Sequence, residues 1–185
     1  MNSQKNRYYL SPMLFVATVF FLNSCGPGKP NVLSDVQGLI SMEVPSSWSK
    51  RSDLNNVANL QAGNPFNEEY VVVISEAKED LYQMNLQRYA AFSIQNLRSS
   101  AVAFEMEPAK PVEINGMKGL KYICRGVIEN VKISYIVTLL ESKGHYHNVM
   151  MWTLRSKENE AFPKFETALL TFKELVKSTN EAPAK

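Results

Sequence analysis

Hydrophobic positions along this chain change their period several times, and each change predicts a different element. Short apolar runs at positions 39–44 and 70–75 are typical of strands, and a weaker strand is predicted at 57–61. From about 80 to 99 the apolar residues recur every three or four positions, which predicts a helix. The core-facing stripe of this helix comprises Tyr82, Leu86, Tyr89, Ala90, Ser93 and Leu97.

The second half of the chain alternates with period two and then returns to a helical period. Asn115-Gly116 predicts a hairpin because both residues tolerate positive φ. Alternating segments follow, with turns at 129–130 and 143–144, and they indicate an antiparallel meander ending near 155. A closing helix is predicted at 158–177, with Phe162, Phe165, Leu169, Phe172 and Val176 on its core face. This order of elements predicts an α+β fold in a single domain at 35–177.

The N-terminus reads as an export signal. Lys5 and Arg7 precede an apolar run at 13–22, and Leu22-Asn23-Ser24-Cys25 resembles a bacterial lipobox. We therefore expect a signal peptide at 1–24, lipid on Cys25 including a palmitate-type acyl chain, a flexible tether at 25–34 and a disordered tail at 178–185. A plain cleaved signal and a retained membrane anchor are the two alternatives, although the apolar run is short for a spanning helix.

Two or three acyl chains would hold the protein on a membrane. Gly26 follows the cysteine, and the absence of Asp at that position favours the outer membrane. The expected location is thus the bacterial cell envelope, with the domain facing the periplasm.

Charge and cysteine content narrow the function classes. Without residues 1–24 the chain carries 18 basic and 18 acidic residues, and this balance argues against nucleic acid as a partner. If Cys25 carries lipid, Cys124 is the only other cysteine, so no intramolecular disulfide can form. We expect Cys124 to be buried and inert, and the protein to be a monomer.

Few residues suggest chemistry. His145 and His147 lie two positions apart on a predicted strand and could face one metal ion, but two ligands do not make a site. Trp48 could line a pocket or a partner surface, or it could cap the core. No phosphate-binding loop, nucleophile elbow or zinc-protease motif occurs in the sequence. We therefore expect no catalytic residues, no metal, no cofactor and no enzymatic activity.

Several features together resemble the PsbP-like family over about 39–176. They are the strand ending Met42-Glu43-Val44-Pro45 with Trp48 after it, the strand at 70–75 before a long helix, the Asn115-Gly116-Met117-Lys118-Gly119 hairpin, and the closing helix with Phe165 and Phe172. The resemblance implies an α/β/α sandwich with a central antiparallel sheet and helices on both faces. It also implies a non-enzymatic accessory role, and it supplies no catalytic residue.

Three hypotheses for the function follow. The first is a lipid-anchored accessory protein of the envelope that binds a protein partner or supports envelope assembly. The second is a carrier or sensor of a small ligand, which it would hold in a cleft between helix and sheet. The third is an enzyme of unrecognised type. A large apolar pocket would favour the second hypothesis, and a flat exposed apolar patch would favour the first.

Overall fold

The computed structural model describes residues 28–175, so the predicted signal peptide, Cys25 and the tail at 178–185 lie outside the described residues. The elements in chain order are β1 (Asn31–Ser34), β2 (Ile40–Val44), β3 (Ser49–Lys50), β4 (Leu60–Asn64), β5 (Glu69–Ala77), α1 (Leu86–Ser99), β6 (Val102–Met106), β7 (Lys110–Ile114), β8 (Met117–Ile128), β9 (Val131–Glu141), β10 (His145–Leu154), α2 (Glu158–Leu170) and β11 (Lys173–Glu174). Short 3₁₀ turns at Lys78–Asp80 and Arg155–Lys157 precede the two helices.

The strands form two antiparallel sheets. The larger sheet has eight strands in the order β3-β4-β5-β10-β9-β8-β6, with β7 also paired to β8. The meander predicted from the sequence is its centre, where β8, β9 and β10 pair over nearly their whole lengths. Asn115 and Gly116 both have positive φ, 47° and 80°, and they join β7 to β8 as predicted. The predicted α+β class is confirmed.

Residues along β9 alternate between two clusters of buried side chains. Ile136 and Leu140 belong to a cluster that contains Phe165 of α2. Tyr135 and Val137 belong to a second cluster, which contains the buried stripe of α1. Successive residues of a strand point to opposite faces of its sheet, so this strand contributes to two separate hydrophobic cores.

Helix α1 begins later than the sequence predicts. The 3₁₀ turn and the left-handed φ of Gln83, 51°, interrupt the chain, and Asn85 then caps the helix by accepting a hydrogen bond from the Arg88 amide at 2.9 Å. The prediction that Tyr82 faces the core is wrong, because its side chain is 89 % exposed and precedes the helix. The other five predicted stripe residues are buried.

Helix α2 ends at Leu170, well before the predicted position 177. Thr171 accepts a hydrogen bond from the Glu43 amide at 2.8 Å, and β11 then pairs with β2. Phe172 is fully buried, as predicted, but it lies after the helix instead of within it. Pairing with the edge of β2 thus ends the helix earlier than the helical pattern of the sequence predicts. Val176 lies outside the described residues.

The small sheet has the order β1-β2-β11. Its first strand, Asn31–Ser34, forms in the stretch assigned from the sequence to a flexible tether, because it pairs with β2 through the register Val32 to Glu43. The ordered domain therefore starts earlier than the predicted residue 35. Within residues 28–175, no helix is both long and apolar enough to cross a membrane.

Candidate functional site

A cleft of about 490 Å³ lies between α1 and the eight-stranded sheet. The eight-stranded sheet forms the floor of the cleft. Helix α1 forms one side wall, the helix bank, and the loop between β3 and β4 forms the opposite side wall, the loop bank. Most of the lining is apolar, from Leu54, Val57, Val72, Ile74, Phe92, Leu97, Ile128, Met150 and Trp152. The volume falls within the usual range for small-molecule sites, roughly 300–1,000 Å³.

The floor follows from the pairing of β5 with β10. Asn148 lies opposite Ile74 and Met150 lies opposite Val72, and all four side chains line the cleft. Glu76 lies two residues further along the same face of β5. Side chains alternate between the two faces of a strand, so one surface of β5 and β10 carries polar residues at one end, apolar residues in the middle and Trp152 at the other end.

The loop bank has no regular structure, but a buried glutamine holds it in place. Gln61 of β4 accepts hydrogen bonds from the amides of Leu54 and Asn55 at 2.9 and 3.1 Å. Its Nε2 donates to the Asn55 carbonyl at 2.7 Å. With the backbone of this loop fixed, Val57 lies exposed at the mouth of the cleft.

The helix bank is fixed by two tyrosines. The Tyr89 hydroxyl donates to Glu76 Oε2 at 2.7 Å, and the Tyr89 ring stacks on Tyr146 with 4.9 Å between centroids. The Tyr146 hydroxyl donates to the Met84 carbonyl before the helix, at 3.1 Å. This arrangement leaves Phe92, off the core stripe, 60 % exposed at the mouth of the cleft across from the loop bank.

Aromatic rings close one end of the cleft. Trp152 is half-buried and stacks on Tyr70 at 5.3 Å between centroids, and Tyr135 lies 6.3 Å from it in a tilted arrangement. Burial raises the pKa of Tyr135 to about 12, so its hydroxyl remains protonated at neutral pH. Trp152 packs against the α1 cluster and also lines the cleft.

Asn148 is the unusual residue of the floor. It is only 8 % exposed, and among the described residues none donates a hydrogen bond to its Oδ1. A buried amide oxygen without a partner costs about 1–3 kcal/mol. Because Asn148 lines the cleft, a bound molecule with an N–H or O–H group could satisfy it.

The histidine pair lies elsewhere. His147 belongs to β10 but points to the face opposite Asn148, where its Nδ1 lies 2.8 Å from Ser75 Oγ. Its ring packs edge-to-face with Phe172, with 5.3 Å between the ring centroids. His145 is half-buried and pairs through Nδ1 with Glu174 at 2.6 Å. The two imidazoles lie 5.8 Å apart with roughly parallel planes. Within residues 28–175, no group of three His, Cys, Asp or Glu side chains could hold a metal ion.

Trp48 and Cys124 are both buried away from the cleft lining. The Trp48 indole packs edge-to-face with Phe165, with 5.7 Å between the ring centroids, and its Nε1 donates a hydrogen bond to Glu69 Oε2 at 2.8 Å. Cys124 lies in the α1 cluster, and burial raises the pKa of its thiol to about 12.

Asn148 is not among the residues that the sequence patterns indicated as functional. A signal was present, because Asn148 shares its predicted strand face with Tyr146, Met150 and Trp152 and is the amide among them. A buried polar residue is more informative than an exposed apolar one. Phe92 also gave a signal, since it falls off the core stripe of α1.

Comparisons with known proteins give similarity of fold at very low sequence identity. No protein-family model matches the chain, and no curated protein matches it in sequence. The solution structure of cyanobacterial PsbP (CyanoP) from Synechocystis sp. PCC 6803 matches 82 % of this chain and 96 % of its own, with a TM-score of 0.60 and 12 % identity. The yeast Ran-binding protein Mog1p of Saccharomyces cerevisiae matches 78 % and 94 %, with a TM-score of 0.57 and 11 % identity.

LpqN, a protein involved in cell envelope biogenesis of Mycobacterium tuberculosis, matches 83 % of this chain and 88 % of its own. The TM-score is 0.56 and the identity 11 %. The chain has a PsbP/Mog1-like α+β fold. The PsbP-like resemblance seen in the sequence is thus supported at the level of the fold, which in itself fixes no activity.

Proposed function

We propose that the protein is a lipid-anchored, non-enzymatic accessory protein of the bacterial cell envelope, and that it holds a small ligand in the cleft between α1 and the sheet. The cleft with its unpartnered Asn148 amide carries this proposal. It combines an apolar lining with a few fixed polar groups, which is the usual composition of a ligand site. The protein would therefore act as a carrier or sensor, and it needs no cofactor or metal.

The resemblance of Leu22-Asn23-Ser24-Cys25 to a lipobox supports the anchor, and the fold similarity to an envelope biogenesis protein supports the location. In this proposal the lipid on Cys25 holds the domain at the periplasmic face of the outer membrane as a monomer. For the layers we propose an α/β/α sandwich, in which α1 and α2 cover opposite faces of the eight-stranded sheet. The alternation of β9 residues between the two buried clusters supports that layout.

A second candidate function is docking of a protein partner. The exposed side chains of Val57 and Phe92 at the mouth of the cleft favour it, because exposed apolar residues beside a cleft are typical of interaction sites. In that case a side chain of the partner would fill the cleft.

A neutral apolar dye tests the ligand proposal. N-phenyl-naphthylamine fluoresces when it enters an apolar site, so its fluorescence should rise on addition of the purified protein. Asn96→Phe places a ring in the cleft and should abolish the rise, whereas Gln95→Phe, at an exposed position of the same helix outside the lining, should not. Equal dye binding by both variants would contradict the proposal.

Membrane fractionation and mass spectrometry test the anchor. Cys25→Ala should move the protein from the membrane fraction to the soluble fraction. An unmodified Cys25 in membrane-derived protein would refute lipidation.

A further inference from the structure

We propose that the cleft selects neutral or cationic amphiphiles, in which a hydrogen-bond-donating head reaches Asn148 and Glu76 and an apolar body runs toward Trp152. This inference rests on the proposed function and adds the chemical class of the ligand. It depends on two features of the cleft, namely the order of its lining residues and the sign of its charge.

The order of the residues defines the shape of the ligand. Asn148, Met150 and Trp152 occupy successive inward positions of β10, and at about 3.4 Å per residue they span about 14 Å. Val72 and Ile74 extend the apolar surface beside them on β5. A ligand that fills the cleft therefore has an elongated apolar body with its polar group at one end.

The polar end offers two acceptors close together. Glu76 and Asn148 are diagonal neighbours on the paired strands, so their side chains lie within roughly 7–8 Å of each other. Glu76 Oε2 already accepts the Tyr89 hydroxyl, while no described residue donates to Oε1. An ammonium or primary amide head between the two residues could donate to both Asn148 Oδ1 and Glu76, whereas a hydroxyl head has one hydrogen and could donate to one of them.

The charge of the cleft determines which polar head groups of a ligand it can favour. Among the described residues that line it, Glu76 contributes a carboxylate, and none is lysine, arginine or histidine. An anionic head would lose its hydration beside a carboxylate, with no cation in the lining to compensate. A cationic head gains instead from the opposite charge of Glu76.

Three probes with the same chain, namely decylamine, decanol and decanoate, test this selection. Their binding to the purified protein is measured by calorimetry below their micelle concentrations and by displacement of N-phenyl-naphthylamine. We expect decylamine and decanol to bind and decanoate to bind at least about tenfold more weakly, the loss expected for one unfavourable charged contact.

Two variants identify the residues responsible. Glu76→Gln should remove most of the preference for decylamine over decanoate, while Glu79→Gln, an exposed acidic residue outside the lining, should leave it unchanged. Asn148→Leu should weaken the binding of decylamine and decanol by about tenfold. Melting temperatures equal to that of the unmodified protein exclude unfolding as the cause of weaker binding. If Asn148→Leu does not fold, the comparison of Glu76→Gln with Glu79→Gln decides the test.

The outcomes separate this inference from the proposed function. If decanoate binds as tightly as decylamine while Asn96→Phe still blocks the dye, the charge selection is wrong and the ligand cleft stands. The same conclusion follows if Glu79→Gln reduces the preference for decylamine over decanoate as much as Glu76→Gln does, because the preference then reflects the overall charge of the protein. If neither dye nor probe binds, both proposals fail.

Discussion

The stability of the fold should fall in mild acid because of His147. The side chain is fully buried, and burial lowers its pKa to about 4; repulsion from His145 acts in the same direction, while Glu174 opposes it. In the unfolded chain the same imidazole titrates near 6.5. Between these two values the unfolded state binds a proton that the folded state does not, so acid stabilises the unfolded state.

The pKa gap sets the size of the effect. With values of about 4 and 6.5, His147 contributes nothing to the pH dependence well above pH 7, and the folded state loses about 2 kcal/mol between about pH 7 and pH 5. Arg125 lowers the pKa of Glu158 from its ordinary 4.5, so the stabilisation from that pair is lost only at lower pH.

Urea unfolding at the two pH values measures this loss. We expect His147→Gln to be less stable at neutral pH, because it loses the hydrogen bond with Ser75, but to lose much less stability on acidification than the unmodified protein. His145→Gln, at the half-buried neighbouring position, should retain most of the acid-induced loss. If the protein and His147→Gln lose the same free energy between the two pH values, the buried neutral state of His147 is not the cause.

Three further predictions concern the core, the thiol and metal. Phe172→Ala should lower the free energy of unfolding by about 3–5 kcal/mol, because the ring is fully buried, whereas the exposed Leu170→Ala should cost less than about 1 kcal/mol by urea titration; similar losses in both would contradict the packing. Cys124 should react with a thiol reagent only on unfolding, because burial raises its pKa to about 12, and rapid labelling of the folded protein would refute this. Micromolar zinc should not change the melting temperature; a rise that His147→Ala or His145→Ala abolishes would reveal a metal site.

Local patterns in the sequence predicted much of the fold. The Asn115-Gly116 hairpin depends on two residues that accept positive φ, and both have it. The stripe of α1 was predicted because helical periodicity reports which face is buried, and only Tyr82 was wrong. The N-cap at Asn85 explains this error, since the periodic pattern continues past the point where the backbone stops being helical.

Long-range pairing was harder to predict. β11 joins β2 across more than a hundred residues, and no local signal at Lys173 or Glu174 indicates a strand. The cleft was hard to predict for the same reason, because it depends on where α1 and the loop bound by Gln61 lie over the sheet. Burial of Asn148 could have been suspected from Tyr146 and Met150, two positions away on the same strand face, but the absence of a described hydrogen-bond partner for its Oδ1 is visible only in three dimensions.

The alternation along β9 has a consequence for how this fold can diverge. Tyr135 contributes to the wall of the cleft, while the adjacent Ile136 packs in the α2 cluster, so neighbouring codons specify two different environments. A substitution at one position can change the chemistry of the cleft and leave the packing against α2 intact. An insertion of one residue would instead exchange the two sets of side chains and damage both cores. Divergence of this domain should therefore proceed by substitution within its long strands, with changes of length confined to its loops.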